Sequence, residues 1–272
     1  MMNELELLHS EIYRLPLYYD IAFDFRDIPQ QADFLEEVFR DATGREPDSI
    51  IDLGCGPGYF VGEFAKRGKR STGIDISSEM IEYARRKISK EHLTTELMVG
   101  DFLDFSLHDP VDMAILMLDS VGHILTNDNF IRHLECIASN LNSDGIYFIE
   151  FSHPFDEIIK DERRVKNHWV SERDGIVVET NWGYPSDKFD AIGQITTTTV
   201  SMRITDRGET FEIRETSFER LYTAQEVLAL VRLSGVFDFV DWYGGFSTSQ
   251  PLDNSRKSWR MNVVLRKRNK SG

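Results

Sequence analysis

The sequence predicts an α/β fold, with a mostly parallel sheet between helices and an antiparallel β insertion after the fifth strand. Three observations lead to this prediction. Short apolar segments alternate with segments of helical periodicity between residues 30 and 151, which is typical of parallel sheets with right-handed crossovers. After Phe151 the pattern changes to period-two alternation rich in β-branched residues. A glycine-rich segment, IIDLGCGPGYF at 50–60, directly follows the first apolar segment.

The elements of the first part follow one another in chain order. Residues 30–43 predict a helix, because their large apolar side chains share one face and Gly44 provides a C-terminal stop. The later segments are the strand SIIDLG, the helix YFVGEFAKRG, the strand STGIDIS, the helix SEMIEYARRKISK capped by Ser77 or Ser78, the strands TELMVGD and VDMAILML, the helix NDNFIRHLECIASNLN capped by Asn127 or Asp128, and the strand GIYFIEF.

The second part begins with three segments of strand periodicity, GIVVETNWGY, IGQITTTTVSMRIT and ETFEIRETSFERLY. Turn signals such as Asp206 and Gly208 separate the last two, so we expect antiparallel pairing. A helix returns at TAQEVLALVRLSG, with Thr223 as N-cap and Glu226 at the capping-box position. Two more strands, FDFVDWYG and SWRMNVVLRK, complete the pattern.

These patterns divide the chain into four segments. We predict an N-terminal segment at 1–29, a core of alternating strands and helices at 30–151, the antiparallel insertion at 152–220, and a closing helix with strands at 221–272. The insertion is expected to help form the substrate site or a homodimer interface.

Composition narrows the classes of function. The chain has 272 residues and a net charge of −15, which argues against a broad nucleic-acid interface. Its two cysteines are too few for a disulfide scaffold and lack the spacing of metal ligands, so no metal site is predicted. No apolar run approaches the roughly 20 residues needed to span a bilayer, and the N-terminal residues are acidic and interrupted by Pro16. We therefore predict a cytoplasmic protein without a membrane partner.

The glycine segment indicates a nucleoside site. Gly54, Gly56 and Gly58 have the spacing G-x-G-x-G, whereas a dinucleotide fold needs G-x-G-x-x-G and a phosphate loop needs Gly-Lys-Ser/Thr. Asp52 before the loop would repel a phosphate but would accept hydrogen bonds from an ammonium. Asp75, 23 residues later, lies where an acid binds ribose hydroxyls. The pattern favours a nucleoside with a cationic or zwitterionic tail.

Four motifs in order, DLGCGPG, GIDIS, GDFLDF and MAILMLDSVGH, resemble those of class I S-adenosylmethionine-dependent methyltransferases. The resemblance implies a Rossmann-like seven-stranded methyltransferase sandwich. It also implies S-adenosyl-L-methionine as cofactor and S-adenosyl-L-homocysteine as product. The matching residues would have these roles: Gly54, Gly56 and Gly58 under the methionine part, Asp52 at its amino end, Asp75 on the ribose, Ile76 against the adenine, Asp101 accepting from the adenine amine, Phe102 at the adenine ring, and Leu118 beside the sulfonium.

Two further segments, LYYDIAFDFRD and LDSVGHI, together with the β insertion, are similar in layout to small-molecule N-methyltransferases. These include amino-sugar dimethyltransferases and, more distantly, glycine N-methyltransferase. The likeness implies a small-molecule acceptor methylated at an amine nitrogen, with Tyr19 in a lid over the cofactor. Methylation of a carboxylate or hydroxyl, and a regulator that binds the cofactor without turnover, remain alternatives. His123, just after strand four, is either a general base or a structural histidine.

Overall fold

The computed structural model describes residues 11–155 and 167–269. Within these ranges the helices are α1 (Pro16–Ala22), α2 (Ile28–Thr43), α3 (Tyr59–Lys66), α4 (Ser78–Ser89), α5 (Asn127–Asn140) and α6 (Ala224–Ser234), and a 3-10 turn spans Ser120–His123. The strands are β1 (Ser49–Leu53), β2 (Arg70–Asp75), β3 (Glu96–Val99), β4 (Val111–Leu116), β5 (Leu141–Ser152), β6 (His168–Arg173), β7 (Ile176–Trp182), β8 (Phe189–Asp190), β9 (Ile195–Asp206), β10 (Glu209–Arg220), β11 (Phe237–Tyr243) and β12 (Arg260–Lys267).

Seven strands form one sheet with the order β11-β12-β5-β4-β1-β2-β3. The strands β1 to β5 are parallel to one another, while β12 is antiparallel to both of its neighbours. The strand order reverses between β1 and β4, and ligands of such sheets bind beyond the carboxyl ends of the strands at this point. The predicted α/β fold with a seven-stranded sheet is confirmed.

The insertion forms a second sheet in which all pairs are antiparallel. Its order is β10-β9-β7-β6, with β8 paired to β9. The β9–β10 hairpin turns at Arg207 and Gly208, which both have positive φ, as the sequence signal at Gly208 indicates. Parts of the predicted segments, at 1–10, 156–166 and 270–272, lie outside the described residues, and the four-segment division stays a prediction.

The core lies on both faces of the seven-stranded sheet, because successive strand residues point to opposite sides. Ile146 and Phe148 of β5 pack with α2 and α3, while Tyr147 and Ile149 pack with α5 and α6. The apolar face predicted for residues 30–43 is the buried face of α2. This packing fixes the strands so that their carboxyl ends present the loops described below.

The helix termini agree with the sequence signals at most positions. Ser77 caps α4 by accepting a hydrogen bond from the Met80 amide, and Gly44 ends α2 in a left-handed conformation. The cap predicted for α5 is wrong. Thr126, and neither Asn127 nor Asp128, precedes this helix and accepts from the Asn129 amide. A threonine hydroxyl is also a favourable N-cap, although asparagine and aspartate are slightly better, and the extended backbone of Thr126 places its hydroxyl at the Asn129 amide.

Candidate cofactor site

The glycine segment forms a tight turn between β1 and α3. Gly54, Gly56 and Gly58 have φ of 64°, 49° and 78°, a left-handed conformation that other residues rarely adopt. Gly58 also lies against α4, since a Cβ there would be 3.0 Å from the Cβ of Ala84. At Gly56, by contrast, a Cβ would meet only the ring of Tyr19, at 4.0 Å. The loop therefore keeps an open backbone surface beneath that ring.

Asp75, the last residue of β2, holds the loop in place. Its Oδ2 accepts a hydrogen bond from the Gly56 amide at 2.8 Å, and its Oδ1 accepts from the Ser77 amide at 2.8 Å. Burial raises the pKa of Asp75 to about 6, and these two amides oppose the rise. A carboxylate at the carboxyl end of the second strand is suited to bind a ribose diol.

Asp52, in β1, is only 4% exposed and accepts no hydrogen bond from any residue that the structure describes. Burial raises its pKa well above the ordinary value, and the charge of Asp75 adds to the rise while Arg26 opposes it. A buried carboxylate without a partner is costly unless a ligand compensates it. An ammonium group would do so, and this fits the role that the sequence predicts for Asp52.

A cavity of about 410 Å³ opens beside the ends of β2 and β3. Three of its lining residues, Ile76, Asp101 and Leu103, come from the loops that follow these strands. The Asp101 carboxylate accepts a hydrogen bond from the Leu103 amide at 2.8 Å, which orders the loop. The lining also includes the charged residues Asp104 and Arg132. Its apolar side chains suit an adenine ring, and the Asp101 carboxylate could accept from the adenine amine.

Phe102 lies between this cavity and the glycine loop. Its ring is in edge contact with His133, with centroids 5.5 Å apart, and its carbonyl lies 3.0 Å from Nδ1 of the same histidine. A Cβ on Gly54 would be 4.0 Å from the Phe102 ring. The structure thus brings Phe102 close to the glycine loop, and its predicted contact with an adenine ring stays a prediction.

Leu118 and Asp119, just after β4, both have left-handed backbones, with φ of 56° and 58°. Two long-range hydrogen bonds hold this turn. The Leu118 amide donates to Oε2 of Glu150 at 2.8 Å, and the Ser152 amide donates to Oδ1 of Asp119 at 2.9 Å. Each left-handed residue of this kind costs about 1–2 kcal/mol, and such strain often accompanies functional sites.

His123 ends the 3-10 turn that follows. Burial lowers its pKa to about 4, so the imidazole is neutral at physiological pH. The strand β10 of the insertion packs on this turn, and a Cβ on Gly122 would be 3.6 Å from the Cβ of Glu219. His123 therefore lies where the cofactor core and the insertion meet.

Tyr19 of α1 covers the glycine loop. Its side chain is 9% exposed and packs on Tyr13 and Phe23, with ring centroids 5.7 and 4.5 Å away. The helix itself is fixed by Asp20, whose carboxylate contacts Lys87 of α4 at 2.7 Å and Arg173 of β6 at 2.6 Å. The N-terminal segment thus joins the core to the insertion over the loop, as a lid would.

Comparison with protein families identifies this arrangement. Residues 50–145 match the family described as "Methyltransferase domain". This part of the chain is therefore similar to methyltransferase domains. The class I methyltransferase resemblance inferred from the four sequence motifs is confirmed.

A curated relative of this chain is the dTDP-3-amino-3,4,6-trideoxy-alpha-D-glucopyranose N,N-dimethyltransferase of Streptomyces venezuelae. It is 26% identical over 145 residues, which cover 53% of this chain and 57% of the relative. The match thus spans little more than half of that relative's length.

Two solved structures share the fold of almost the whole chain. One is a S-adenosylmethionine-dependent methyltransferase from Clostridium acetobutylicum, with a TM-score of 0.75 and 17% identity, covering 92% of this chain and 96% of that one. The other is CalS10, an amino pentose methyltransferase from Micromonospora echinaspora with S-adenosylmethionine bound, with a TM-score of 0.69, 17% identity and the same two coverages. At these identities the likeness establishes the fold. Among the described residues, none of the helices has the length and apolar character to cross a membrane.

Sequence reasoning missed one residue near Asp52. Arg26 follows α1, and its side chain is 5% exposed. Its Nη2 donates to Glu150 at 3.1 Å, while Nη1 is buried with no hydrogen-bond partner in the part of the chain that the structure describes. This guanidinium nitrogen lies within electrostatic range of the unpaired Asp52. The two groups could together bind a zwitterionic ligand, whose carboxylate would contact Arg26 and whose ammonium group would contact Asp52.

Proposed function

We propose that this chain is a S-adenosylmethionine-dependent methyltransferase that methylates an amine nitrogen of a small molecule. The observation that carries the proposal is the pair of buried, unpaired groups, Asp52 and Nη1 of Arg26, beside the glycine loop in the part of the chain that is similar to methyltransferase domains. Together they suit the amino acid end of the cofactor. The names of the amino-sugar methyltransferases among the similar proteins support an amine acceptor.

The cofactor would lie along the carboxyl ends of β1, β2 and β4. Asp52 and Arg26 would bind its ammonium and carboxylate, and Asp75 would accept from the ribose hydroxyls. The remaining contacts would come from Gly54, Gly56 and Gly58 under the methionine part, Ile76, Asp101 and Phe102 around the adenine, Leu118 beside the sulfonium, and Tyr19 above it.

When bound, the cofactor supplies a methyl group on a positively charged sulfur, which keeps the electron pair of the C–S bond as the acceptor nitrogen forms the new N–C bond. The leaving group needs no proton, so the protein contributes mainly by orienting the two reactants and excluding water. Tyr19 and its aromatic neighbours would exclude water from above. The strained turn at Leu118 would form the wall on the acceptor side.

Acidic side chains near this wall favour a basic acceptor. Glu215 and Glu219 of β10 lie on the partly buried face of that strand. Oε2 of Glu215 accepts from the Ile12 amide at 3.1 Å, and Oε2 of Glu219 accepts from the Thr198 hydroxyl at 3.0 Å. Burial raises the pKa of Tyr13 well above its ordinary value, and these two carboxylates raise it further, so all three residues share one region. Negative charge there would attract a protonated amine.

An amine must lose a proton before or during transfer. His123 is neutral because burial lowers its pKa to about 4, so its ring nitrogens can accept a hydrogen bond but hold a proton weakly. We therefore expect His123 to orient the amine more than to store its proton. Water or a carboxylate of β10 would receive the proton that is released.

Calorimetric titration with S-adenosylmethionine, S-adenosylhomocysteine and NAD tests the cofactor. We expect the first two to bind and NAD not to bind. Tight NAD binding without a response to either of the others would reject the proposal.

A screen with methyl-labelled cofactor against small amines, carboxylates and phenols then tests the acceptor. Label transfer to amines is expected, with the Asp75→Ala variant as the negative control. Transfer only to carboxylates or phenols would replace the N-methyltransferase proposal with an O-methyltransferase. Cofactor binding with no transfer to any acceptor would favour a regulator.

A further inference from the structure

Glu150 of β5 connects two parts of the site that are far apart in sequence. Its Oε2 accepts from the Leu118 amide at 2.8 Å and from Nη2 of Arg26 at 3.1 Å. Its Oε1 forms an ion pair with Nε of Arg260 at 3.0 Å. One carboxylate therefore touches the strained turn after β4, the arginine that follows the lid helix, and the strand β12.

Glu150 carries a negative charge in spite of its burial. Its side chain is 1% exposed, and burial alone would raise its pKa. The charges of Arg26 and Arg260, with the hydrogen bond from Leu118, outweigh this effect and lower the pKa below the ordinary value. The carboxylate is thus ionised at neutral pH and can bind both arginines at once.

The other contacts of Arg26 leave one of its guanidinium nitrogens available to a ligand. Oε1 of Gln31 accepts from Nε of Arg26 at 3.1 Å, and the rings of Phe60 and Phe246 lie 5.8 and 5.7 Å from the guanidinium carbon. With Nη2 on Glu150, only Nη1 is without a hydrogen-bond partner among the described residues. Nη2 also donates to Oε1 of Gln31 at 2.5 Å, so Glu150 and Gln31 together set the direction in which Nη1 points.

The second contact of Glu150 holds a backbone conformation that Leu118 would not adopt alone. A left-handed leucine followed by a left-handed aspartate needs tertiary contacts to stabilise it. The Leu118 amide has Glu150 as its acceptor, and Asp119 is held separately by Ser152. Loss of the Glu150 carboxylate would release one of these two constraints.

We infer that Glu150 is a positioning residue that links the arginine of the lid segment to the turn beside the methyl group, so that both ends of the methionine part are aligned together. The inference rests on the proposed function. It predicts that loss of Glu150 weakens ligands with an amino acid tail more than ligands without one, since Arg26 would contact only the tail while the turn at Leu118 would border the sulfur of both.

The test compares S-adenosylhomocysteine with 5′-methylthioadenosine, which has the same nucleoside but no amino acid tail. In Glu150→Gln, the amide would present an N–H group to at least one of its former donors. We expect the dissociation constant of S-adenosylhomocysteine to rise about 10-fold to 100-fold, and that of methylthioadenosine to change little. Equal weakening of both ligands, or of neither, would overturn the inference. Failure of the unmodified protein to bind either nucleoside would instead refute the proposed function.

Asp112→Asn is the matched control. Asp112 is also buried, at 5% exposure, and binds Arg45 at 2.7 Å and the amides of Asp48 and Ser49, but it lies at the opposite end of the sheet. This variant should lose stability while the ratio of the two dissociation constants stays unchanged. Should Glu150→Gln fail to fold, Glu150→Asp keeps the charge but shortens the reach, and the same change in ratio is expected.

Two more measurements separate positioning from a merely structural role. The amide proton of Leu118 donates to a carboxylate, so its NMR resonance should move upfield in Glu150→Gln and not in Asp112→Asn. Arg26→Lys should raise the dissociation constant of S-adenosylhomocysteine on its own, and adding Glu150→Gln should raise it much less than the product of the two single effects. If the two substitutions instead raise the dissociation constant independently and the Leu118 resonance does not move, Glu150 does not link Arg26 to the turn at Leu118.

Discussion

The carboxylate of Asp75 accepts a hydrogen bond from the backbone amide of Gly56 at 2.8 Å. The last residue of β2 therefore shapes the loop that follows β1, and its second oxygen orders the start of α4 through Ser77. A side chain proposed to bind the ribose also holds the backbone proposed to lie under the methionine part. Removing it should affect both functions.

The first prediction compares Asp75→Ala with Asp52→Asn. Asp75→Ala should weaken S-adenosylhomocysteine more, because it removes charge-assisted hydrogen bonds of about 1.5–3 kcal/mol and also releases Gly56. Asp52→Asn keeps an acceptor for the ammonium and retains the shape of the side chain. Titration calorimetry on both variants gives the dissociation constants, with the exposed Asp109→Ala as control. A near-native constant for Asp75→Ala would remove Asp75 from the site.

The second prediction concerns pH. Burial raises the pKa of Asp75 from 3.8 to about 6, so the residue gains a proton as the pH falls through 6 and loses acceptor capacity for the ribose. The affinity for S-adenosylhomocysteine should fall below about pH 6 in the unmodified protein. The stability contribution has the opposite sign, since a raised folded pKa stabilises the protein below pH 3.8 and this gain is lost as pH rises through 6.

Asp75→Asn isolates this effect from other titrating groups. Its affinity profile between pH 5 and 8 should lack the part of the decline that Asp75 causes, so the difference between the two profiles should titrate near 6. A difference that stays constant over this range would show that Asp75 does not titrate there.

Much of the fold could be predicted because its signals are local. The strands β1 and β4 are fully buried short segments, β1 ends directly before Gly54, and β2 ends at Asp75. The positions of α2 and α4 follow from apolar faces and caps. Four of the described elements were not predicted, namely α1, the 3-10 turn, β6 and the two-residue strand β8. The strand β6 is a sheet edge whose exposure alternates regularly, but its inward positions include the polar Ser171 and Arg173 while Val170 is exposed, so it lacks an apolar period-two signal. The helix α1 has only seven residues and is stabilised by its contacts with other elements.

The candidate site was predicted only in part, because some of its residues have no local sequence signal. Asp52 and the glycines lie in one short motif after the first strand, and Asp75 lies in a second short motif at the end of the second strand. Arg26 and Glu150 are 124 residues apart, and neither has a local signal. Their roles depend on a contact that forms only when the lid segment packs on β5. Sequence periodicity cannot report a contact of this kind.

The third prediction concerns packing under the loop. In Gly58→Ala, the new Cβ would lie 3.0 Å from Cβ of Ala84 and 3.1 Å from Cδ1 of Ile88, at φ of 78°. Left-handed strain of about 1–2 kcal/mol and overpacking of about 1–3 kcal/mol should both reduce the free energy of unfolding. Gly44→Ala is the matched control, because Gly44 has φ of 77° and nothing within 4 Å of the Cβ position. Chemical denaturation should show Gly58→Ala clearly less stable than Gly44→Ala; equal losses would mean that α4 moves away freely.

The fourth prediction concerns His123. A general base would make turnover fall roughly 10²–10⁴-fold in His123→Ala. We expect a smaller loss and a raised Michaelis constant for the acceptor, because the buried imidazole, with a pKa of about 4, holds a proton poorly. A pH–rate profile with an amine from the screen checks this, with the exposed His108→Ala as control. A pH–rate profile unchanged in height and shape would mean that His123 has only a structural role. A fall in turnover of roughly 10²–10⁴-fold would mean that His123 is the general base.

The last prediction concerns Asp20, which fixes α1 and therefore Tyr19. Its side chain is 2% exposed and binds Lys87, Arg173 and the Tyr83 hydroxyl, so Asp20→Asn should cost about 3–5 kcal/mol of unfolding free energy at pH 7. Burial would raise the pKa of Asp20, but Lys87 and the hydrogen bonds lower it below 3.8. Its stabilisation is thus present above pH 3.8 and lost as pH falls further, so the difference between the variant and the unmodified protein should shrink in acid. Thermal unfolding between pH 3 and 8 measures this difference, with the exposed Asp24→Asn as control.

The Trp169 indole donates to the carbonyl of Ala22 at 2.7 Å, so tryptophan fluorescence should change if α1 shifts. An unchanged spectrum with native affinity for S-adenosylhomocysteine would show that α1 stays in place without this carboxylate.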